Sequence, residues 1–313
     1  MIDIYYYHNG LKKGTAKNLN KLKNKQVWID ITNITKEDKD LIQKTFGLHP
    51  LTAEDVYHSN TRIKVEEFPE YLFCVFYGIT RSNEFDMLEL DFILGNKFLI
   101  TNHDKEVGSY TELKKNKDYL ETLFKRGIDF VFHKLLDDQI DHYFPVLEKV
   151  DDIIENLEEE ATKHPRTELL TRILALKRKI VSIKRVTLPQ REKISMLTKN
   201  EYKHISDKAI PYFRDIYDHA IKVSDTIDNY RDAVGNAFDA YMSSVSNSLN
   251  EVMKVLSIIA TVALPLTVIS GIYGTNFTNL PGSTHALGFW FMLGGMGAMI
   301  IFMVMFFKRR GWF

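Results

Sequence analysis

The chain has 313 residues, and its 41 Lys and Arg residues balance 41 Asp and Glu residues, so its formal net charge is zero. A surface without a basic excess argues against general nucleic-acid binding. The single cysteine, Cys74, excludes a disulfide framework within the chain and any Cys-x-x-Cys zinc or redox motif. Residues 1–7 lack the basic region of a secretory signal peptide, so nothing in this stretch predicts secretion.

Charge is distributed unevenly along the chain, because residues 255–307 contain no Asp, Glu, Lys or Arg. Two apolar stretches in this block, residues 255–274 and 287–307, are each long enough to cross a bilayer as a helix. The connection between them, residues 275–286, is short, so the two spans are predicted to be antiparallel with both ends on one side of the membrane. The alternative is a buried apolar hairpin in a soluble protein.

The orientation of the two spans is predicted by a basic collar directly after the second one. Lys308, Arg309 and Arg310 form this collar, and the positive-inside rule places them in the cytoplasm. We therefore expect a multi-pass protein of the cell membrane (a plasma or inner membrane) with cytoplasmic N and C termini.

The first part of the chain predicts a mixed α and β domain. Helices are expected over residues 36–46, with Thr35 as the N-cap, and over residues 52–58, opened by a capping-box-like pair of Thr52 and Asp55. Short runs of β-branched and aromatic residues bounded by Asn, Gly or Asp are typical of strands. They occur at residues 2–7, 27–32, 71–80, 87–94 and 98–101.

The following part of the chain is helical by pattern. Long charged helices are predicted over residues 106–126, 128–164 and 166–199, with Pro165 separating the last two. Residues 151–160 contain six carboxylates. This acidic stretch is either a solvated helix face or a surface that collects cations.

One very long helix is predicted from about residue 211 through the membrane to residue 274, about 90 Å at 1.5 Å per residue. Apolar residues recur along its first half in steps of three or four, the spacing of one helix face. They are Ile216, Ala220, Val223, Ile227, Tyr230, Val234, Phe238 and Tyr241. Such a helix needs neighbours from its own chain or from other copies.

Two spans per chain are too few to enclose a transport path, whereas a symmetric oligomer supplies identical helices around an axis. One face of the first span carries amide, thioether, hydroxyl and aliphatic groups without a fixed charge. Such a lining lets a hydrated cation pass, although small residues at this spacing also serve ordinary helix packing. The predicted pore-lining and gate residues are Asp239, Ser246, Asn250, Met253, Leu256, Ala260, Leu264 and Thr267. The bulky apolar members block ions by dewetting.

Several motifs are spaced along the whole chain. The segment Tyr273-Gly274-Thr275-Asn276-Phe277 lies at the outer end of the first span, and residues 49–55 read His-Pro-Leu-Thr-Ala-Glu-Asp. Three more segments and the basic end with its aromatic tail complete the set. They are residues 211–219, 243–247, 250–256 and 308–313. Together they resemble the CorA family of magnesium and cobalt channels, which are metal ion transporters. That family has Tyr-Gly-Met-Asn-Phe and His-Pro-Leu-x-x-Glu-Asp at the first two places.

The resemblance implies an α+β protein with an α/β/α cytosolic domain, a long helical stalk and two transmembrane helices, assembled as a funnel-shaped homopentamer. Its partners are then copies of itself, the lipid bilayer and hydrated divalent cations, with no nucleic acid. The implied divisions are a cytosolic α/β domain at 1–125, a helical region and stalk at 126–254, a pore-lining span at 255–274, an extracytoplasmic loop at 275–286, a second span at 287–307 and a basic tail at 308–313.

The resemblance also implies which ion is transported and which residues form the outer mouth of the channel. In the family the Gly-x-Asn loop forms the outer mouth, where the Asn side chain and backbone carbonyls contact the hydrated ion, and Gly274 and Asn276 carry over directly. Oxygen ligands suit Mg²⁺, a hard cation that retains its waters. Mg²⁺ is therefore the expected transported and regulatory ion, with Co²⁺ as a second one.

Two departures keep an alternative ion open. Thr275 replaces the family's Met, and residues 279–282, Asn-Leu-Pro-Gly, lack the acidic residue that usually follows the proline. The same scaffold with a Gly-Thr-Asn mouth is compatible with selectivity for Zn²⁺, Ni²⁺ or Co²⁺. A comparison of the uptake of Mg²⁺, Co²⁺, Ni²⁺ and Zn²⁺ distinguishes these alternatives.

The family's cytosolic sensor uses carboxylates between subunits, and the matching positions are Asp55 and Asp215. The plainer reading makes Asp55 a helix cap and Asp215 part of a solvated stalk face. A membrane-anchored enzyme is the remaining class. The sequence has no phosphate-binding loop, His-Glu-x-x-His or Gly-x-Ser-x-Gly motif, and its ten His residues are scattered. We therefore expect a transporter and no enzymatic activity.

Overall fold

The computed structural model describes residues 1–80, 86–163, 166–199, 202–277, 280–282 and 284–312. The chain divides into two compact units, residues 1–160 with 166–238 and residues 161–165 with 239–313. Three residues used in the sequence analysis lie outside the described residues. They are Pro165 between two predicted helices, Asn279 in the predicted loop and Phe313 in the tail.

The first unit is built on one seven-stranded sheet. Its strands are β1 (Ile2–Tyr7), β2 (Leu11–Gly14), β3 (Gln26–Thr32), β4 (Lys64–Glu67), β5 (Tyr71–Ile79), β6 (Met87–Gly95) and β7 (Phe98–His103). They lie in the order β2-β1-β3-β7-β6-β5-β4, and all neighbours are antiparallel except β3 and β7, which are parallel. The five predicted strands are confirmed, but β2 and β4 were missed. Both are edge strands of four residues, of which two in β2 and three in β4 are charged, as is common at exposed edges.

Helices account for most of the remaining residues. They are α1 (Leu19–Leu22), α2 (Lys36–Phe46), α3 (Pro50–Tyr57), α4 (Gly108–Lys115), α5 (Lys117–Arg126), α6 (Ile128–Asp141), α7 (Tyr143–Lys163), α8 (Thr167–Leu197), α9 (Ile210–Tyr273) and α10 (Gly288–Arg309). In addition, Ala16–Asn18 form a 3-10 turn.

Helices cover both faces of the sheet. On one face, side chains of β3 such as Ile29 pack into a buried cluster with α2 and α3, including Phe46 and Val56. On the other face, the ring of Trp28 lies 6.2 Å from that of Tyr110 on α4. Neighbouring residues of β3 point to opposite faces because strand side chains alternate. The predicted α/β/α layering is therefore confirmed.

Several predicted helix ends were wrong. The second helix begins at Pro50, not Thr52, because Pro fits the first helical position and the His49 ring accepts the Leu51 N–H at 3.3 Å. The Thr52 hydroxyl is buried instead and lies 2.8 Å from the Tyr71 hydroxyl. Asp55 is therefore not part of a helix cap. The Thr35 cap of α2 is confirmed as a complete capping box.

Two predicted long helices are each divided in two. The helix over residues 106–126 breaks between α4 and α5, where the Asn116 side chain accepts the Tyr119 N–H at 3.2 Å and caps the new helix. The helix over 128–164 breaks at His142, between α6 and α7. By contrast, α8 continues through Pro189 as one helix.

A network of buried charges links β3, β7 and α4. Asp30 is 1% exposed, and its carboxylate lies 3.1 Å from His103 Nε2 and 2.6 Å from Lys114 Nζ. Lys114 also lies 2.9 Å from Asp3. Burial by itself raises the pKa of Asp30, but the hydrogen bond to His103 and the charges of His103 and Lys114 outweigh it, so the pKa is lowered. The network therefore stabilises the folded state at neutral pH.

The predicted long helix is confirmed as α9, which has 64 residues and a length of about 95 Å at 1.5 Å per residue. Of its predicted apolar stripe, Ile216, Ala220, Val223, Ile227, Val234 and Tyr241 are buried, while Tyr230 and Phe238 are half-buried. Near its start the Phe213 ring lies 5.5 Å from that of Phe132 on α6. This part of the stripe is covered by helices of the same chain.

The second unit contains the two apolar helical segments, and both helices are long and apolar enough to cross a membrane. One face of each segment packs on the other around a cavity lined by residues such as Ile269, Met292 and Met296. On α9 this face continues through Ile258, which is buried. Phe307 is buried and Phe291 also borders this cavity, but four aromatic residues of α10 are more than 60% exposed. They are Phe289, Trp290, Phe291 and Phe302.

Candidate ion pathway and cytosolic carboxylate sites

The mouth segment follows directly from the end of α9. The Gly274 N–H donates to the Ser270 carbonyl at 2.9 Å, and a Cβ at this position would lie 3.0 Å from that oxygen, so glycine permits the close turn. The Thr275 hydroxyl donates to the Ile272 carbonyl at 2.7 Å. Its proton is therefore used within the chain, and its oxygen remains free to accept a hydrogen bond from a hydrated ion.

The two residues after the turn point their side chains into open space. Asn276 is exposed, and among the described residues its amide has no hydrogen-bond partner. Phe277 is 78% exposed. The Tyr273 hydroxyl donates to the Pro281 carbonyl at 3.0 Å, which ties the helix end to the following loop. An unpartnered amide beside a fixed helix end is a suitable contact for the water shell of a cation.

The predicted pore residues share one exposed face of α9. All eight predicted residues, from Asp239 to Thr267, are exposed in the protomer. In steps of three or four they lie on the side of the helix opposite to Ile258, which is buried. Leu264 is 70% exposed although it is large and apolar. This face is therefore unpartnered in a single chain, as the face toward a symmetry axis must be.

The basic collar lies at the end of α10. Lys308, Arg309 and Arg310 are exposed, and the Arg310 guanidinium lies 5.7 Å from the centre of the Phe306 ring. Lys254 of α9 reaches the same region, because its Nζ donates to the Gly311 carbonyl at 3.4 Å. Positive charge thus collects at one end of the two apolar segments.

Asp55 on α3 already has a cationic neighbour within the protomer. Its Oδ2 lies 2.5 Å from Lys64 Nζ, and Lys64 also lies 3.3 Å from Glu66 Oε2. Burial by itself lowers the pKa of Lys64, but the two carboxylates outweigh it and raise the pKa. Lys64 therefore stays charged and neutralises Asp55 in part, a contact that the sequence alone did not indicate.

Asp215 lies one residue before the buried Ile216 on α9 and is exposed. In the part of the chain that the structure describes, it forms no hydrogen bond or ion pair. No contact between Asp55 and Asp215 occurs among the described residues. Among the described residues, the Asp215 carboxylate is thus exposed and acts only through its charge on His133, while Asp55 is paired with Lys64.

Three residues that sequence reasoning missed come together between α6 and α9. The His219 ring lies 2.8 Å from Asp141, and ligand atoms of Asp137, Asp141 and His219 lie within 4.8 Å of one another. The two aspartates are four residues apart on one helix face, which was a visible signal. His219 is 78 residues further along the chain, so only the packing of α9 on α6 brings it there.

The acidic stretch at residues 151–160 lies on α7 and is mostly exposed. Glu160 lies 2.6 Å from Arg172 of α8. Among the other carboxylates of this stretch, Asp151 is hydrogen-bonded to Tyr230 of α9 and Glu158 is half-buried, while Asp152, Glu155 and Glu159 are exposed. This arrangement is that of a solvated face, and an exposed acidic face also raises the local cation concentration.

These features define a class of protein: a membrane protein in which a soluble α/β/α unit leads through one long helix into two apolar spans. Residues 23–309 match the family described as CorA-like Mg²⁺ transporter protein, and the chain belongs to this family. The resemblance inferred from the motifs is thereby confirmed. The chain is thus a member of a family of divalent cation transporters and not of a family of enzymes.

Individual relatives agree over most of the chain. The cobalt/magnesium transport protein CorA of Thermotoga maritima is 38% identical over 292 residues, which cover 91% of this chain and 83% of the relative. The protein of the same name from Methanocaldococcus jannaschii is 25% identical over 290 residues and covers 91% of each. The complete structure of the CorA magnesium transporter from M. jannaschii has a TM-score of 0.88 at 21% identity, over 100% of this chain and 99% of that chain. At that identity the likeness confirms the fold.

Proposed function

We propose that five copies of this chain form a Mg²⁺ channel in the cell membrane, with both termini in the cytoplasm and Co²⁺ as a second transported ion. The observation that carries this proposal is the exposed face of α9 from Ser246 to Thr267, which carries no charged residue and leads to Asn276, an exposed amide without a partner among the described residues. A channel for a hydrated cation needs such a path, because strong ligands would hold the ion.

In this proposal each segment of the chain forms a different part of the channel. Residues 1–125 form the cytosolic domain, 126–254 the helical region and stalk, 255–274 the pore helix and 287–307 the outer helix. Residues 275–286 connect the spans outside the cell, and 308–313 form the basic tail. The exposed aromatic residues of α10 are then the surface that faces lipid.

Selection for magnesium rests on the chemistry of the mouth. Asn276 supplies an amide oxygen, and Thr275 supplies a hydroxyl oxygen and no sulfur. Hard oxygen groups suit Mg²⁺, which gives up its waters slowly, whereas Zn²⁺ and Ni²⁺ bind nitrogen and sulfur ligands more strongly. Relatives named for cobalt and magnesium transport support the same choice.

Cytosolic Mg²⁺ closes the channel in this proposal through Asp55 of one subunit and Asp215 of its neighbour. Two facing carboxylates repel, and a divalent ion between them removes the repulsion and ties the subunits together. The exposure of Asp215 supports this role, since an intersubunit ligand must be free in the protomer. The ion-bound state is closed, with Met253, Leu256 and Leu264 forming a dewetted constriction. The transported ion is then its own inhibitor through its different affinity for the two states.

Uptake into proteoliposomes tests the transport function. Purified protein should take up Mg²⁺, and Asn276→Ala should lower the initial rate at least tenfold. Asn156→Ala, which removes an exposed amide from α7, is the matched control and should leave the rate unchanged. Parallel assays with Co²⁺, Ni²⁺ and Zn²⁺ decide the ion. Faster uptake of Zn²⁺ or Ni²⁺ than of Mg²⁺ at equal concentration would show that the channel selects that ion and not Mg²⁺.

A further inference from the structure

A small polar cavity lies inside the α/β unit, between the end of α3 and the strands β6 and β7. Ser59, Glu89, Asp91, Asn102 and Asp104 line it, and its volume of about 10 Å³ is enough for one small ion or water molecule. Asp91 and Asn102 are directly paired neighbours in the register of β6 and β7, so the sheet itself places them side by side.

Two buried oxygen atoms in this cavity lack a hydrogen-bond donor. Asn102 Nδ2 donates to Asp91 Oδ2 at 2.9 Å and to the Val56 carbonyl at 3.0 Å. Both of these partners are acceptors, so the amide orientation is fixed and Asn102 Oδ1 points away from them. Among the described residues, neither Asn102 Oδ1 nor Asp91 Oδ1 finds a donor, although the two side chains are only 6% and 4% exposed. Unpartnered buried oxygens are costly, and a bound cation removes that cost.

Carboxylates outnumber the one basic residue that borders the cavity, His103, whose charge is directed at Asp30. Glu89 is held beside the cavity by the Asn60 and Thr61 N–H groups and the Tyr77 hydroxyl, while Asp104 is exposed at its rim. Burial, followed by the charges of Glu89, Asp104 and Asp55, raises the pKa of Asp91 well above its ordinary value, against the hydrogen bond from Asn102. The C-terminal end of α3 adds a partial negative charge.

The available ligand atoms are all oxygens. His103 also borders the cavity, but its Nδ1 lies 2.7 Å from the Lys105 carbonyl and its Nε2 3.1 Å from Asp30, so both ring nitrogens are engaged. Along the described lining there is no Lys or Arg to neutralise Asp91. This combination favours a hard cation over Zn²⁺ or Ni²⁺.

We propose that this cavity binds one hard divalent cation of the size of Mg²⁺, with Asp91 and Asn102 as its ligands inside the cavity and Asp104 and solvent water completing the shell at its open rim. The site lies within one protomer and is distinct from the transport path and from the sensor pair Asp55 and Asp215. It ties the end of α3 to the sheet. It is present whether or not the mouth selects Mg²⁺.

The test uses the full chain in detergent, with Asp55→Asn and Asp215→Asn introduced to remove the sensor response. In this background Mg²⁺ should still raise the unfolding temperature, because a ligand of the folded state stabilises it. Adding Asp91→Asn should weaken Mg²⁺ binding at least tenfold and, without Mg²⁺, should raise the unfolding temperature by removing a buried charge. Asp118→Asn, which removes an exposed charge on α5, is the matched control and should leave the Mg²⁺ response intact.

Equilibrium dialysis with Mn²⁺ provides a direct count. The background protein should bind one more Mn²⁺ per protomer than the Asp91→Asn variant. An equal Mn²⁺ count, or an equal Mg²⁺ effect on the unfolding temperature in both proteins, overturns the proposal and leaves Asp91 as a buried protonated acid. If Asp91→Asn does not fold, Glu89→Gln takes its place, with a smaller loss of affinity expected and an unchanged affinity overturning the site. Loss of Mg²⁺ uptake in any of these proteins concerns the transport function and has no bearing on this site.

Discussion

Lys64 should control how strongly Asp55 binds a cation, and Lys64→Met tests this. Lys64 Nζ lies 2.5 Å from Asp55 Oδ2, and the two side chains are 20% and 34% exposed. A divalent ion that binds Asp55 must displace the ammonium group or bind beside it against its charge. Met keeps most of the length of the Lys side chain and removes only the charge and its hydrogen bonds.

The size of the effect follows from the separation and exposure of the pair. Two unit charges about 4 Å apart interact by about 1 kcal/mol in water and about 4 kcal/mol at a partly buried protein surface. Because Asp55 is one third exposed, solvent screening places the pair nearer the lower value. If removing Lys64 makes the free energy of cation binding at Asp55 more favourable by about 1.4 kcal/mol, the cation binds tenfold more tightly.

Protection of the cytosolic domain from proteolysis, measured against Mg²⁺ concentration, reports the sensor. The midpoint of Lys64→Met should lie about tenfold below that of the wild type. In an Asp55→Asn background Lys64→Met should have no effect, and Lys44→Met, which removes an exposed charge on α2, should leave the midpoint unchanged. A midpoint that is equal to the wild type or higher would refute the competition between Lys64 and the ion.

Two further predictions concern the gate and the buried charges. Leu256→Ala should raise cation flux at high cytosolic Mg²⁺ because a smaller side chain wets the constriction. Val255→Ala, which is exposed on another face of α9, should not raise it. Equal flux in both variants removes Leu256 from the gate. The pKa of Asp30 is lowered in the folded state, so its stabilisation is present at neutral pH and is lost as the pH falls through that lowered value. Trp28 fluorescence should show that unfolding becomes easier toward about pH 3, with a flatter pH profile for Asp30→Asn.

The membrane segments and the long helix were predictable because their signals are continuous. A block of residues without charge and an apolar stripe with helical spacing each depend only on sequence periodicity. The start of α3 was not predicted correctly, because Pro50 and the His49 ring competed with Thr52 for the cap. The edge strands β2 and β4 were missed because four residues, at least two of them charged, give too short a pattern.

The candidate sites also differ in whether their residues are neighbours in the sequence or are brought together only by tertiary structure. The proposed mouth at Gly274 and Asn276 is contiguous in sequence, so a motif is enough to suggest it. By contrast, the pair Asp91 and Asn102 depends on the register of β6 and β7, and His219 reaches Asp141 only after α9 has packed on α6. Such contacts are products of tertiary structure, and no local pattern encodes them.

The cavity at Asp91 and the proposed sensor residue Asp55 should influence each other, since the charge of Asp55 raises the pKa of Asp91 and such coupling is reciprocal. If Mg²⁺ fills the cavity, the ion and Asp91 together carry a positive charge that opposes binding at Asp55. Asp91→Asn then empties the cavity, removes this charge and lowers the Mg²⁺ midpoint of proteolytic protection. If the cavity is empty and Asp91 is ionised, the same substitution removes a negative charge and raises the midpoint. If Asp91 is protonated, the midpoint does not move. We expect a lower midpoint, by about twofold to threefold given the screening between separated charges, and a shift in the other direction would contradict cation binding in the cavity.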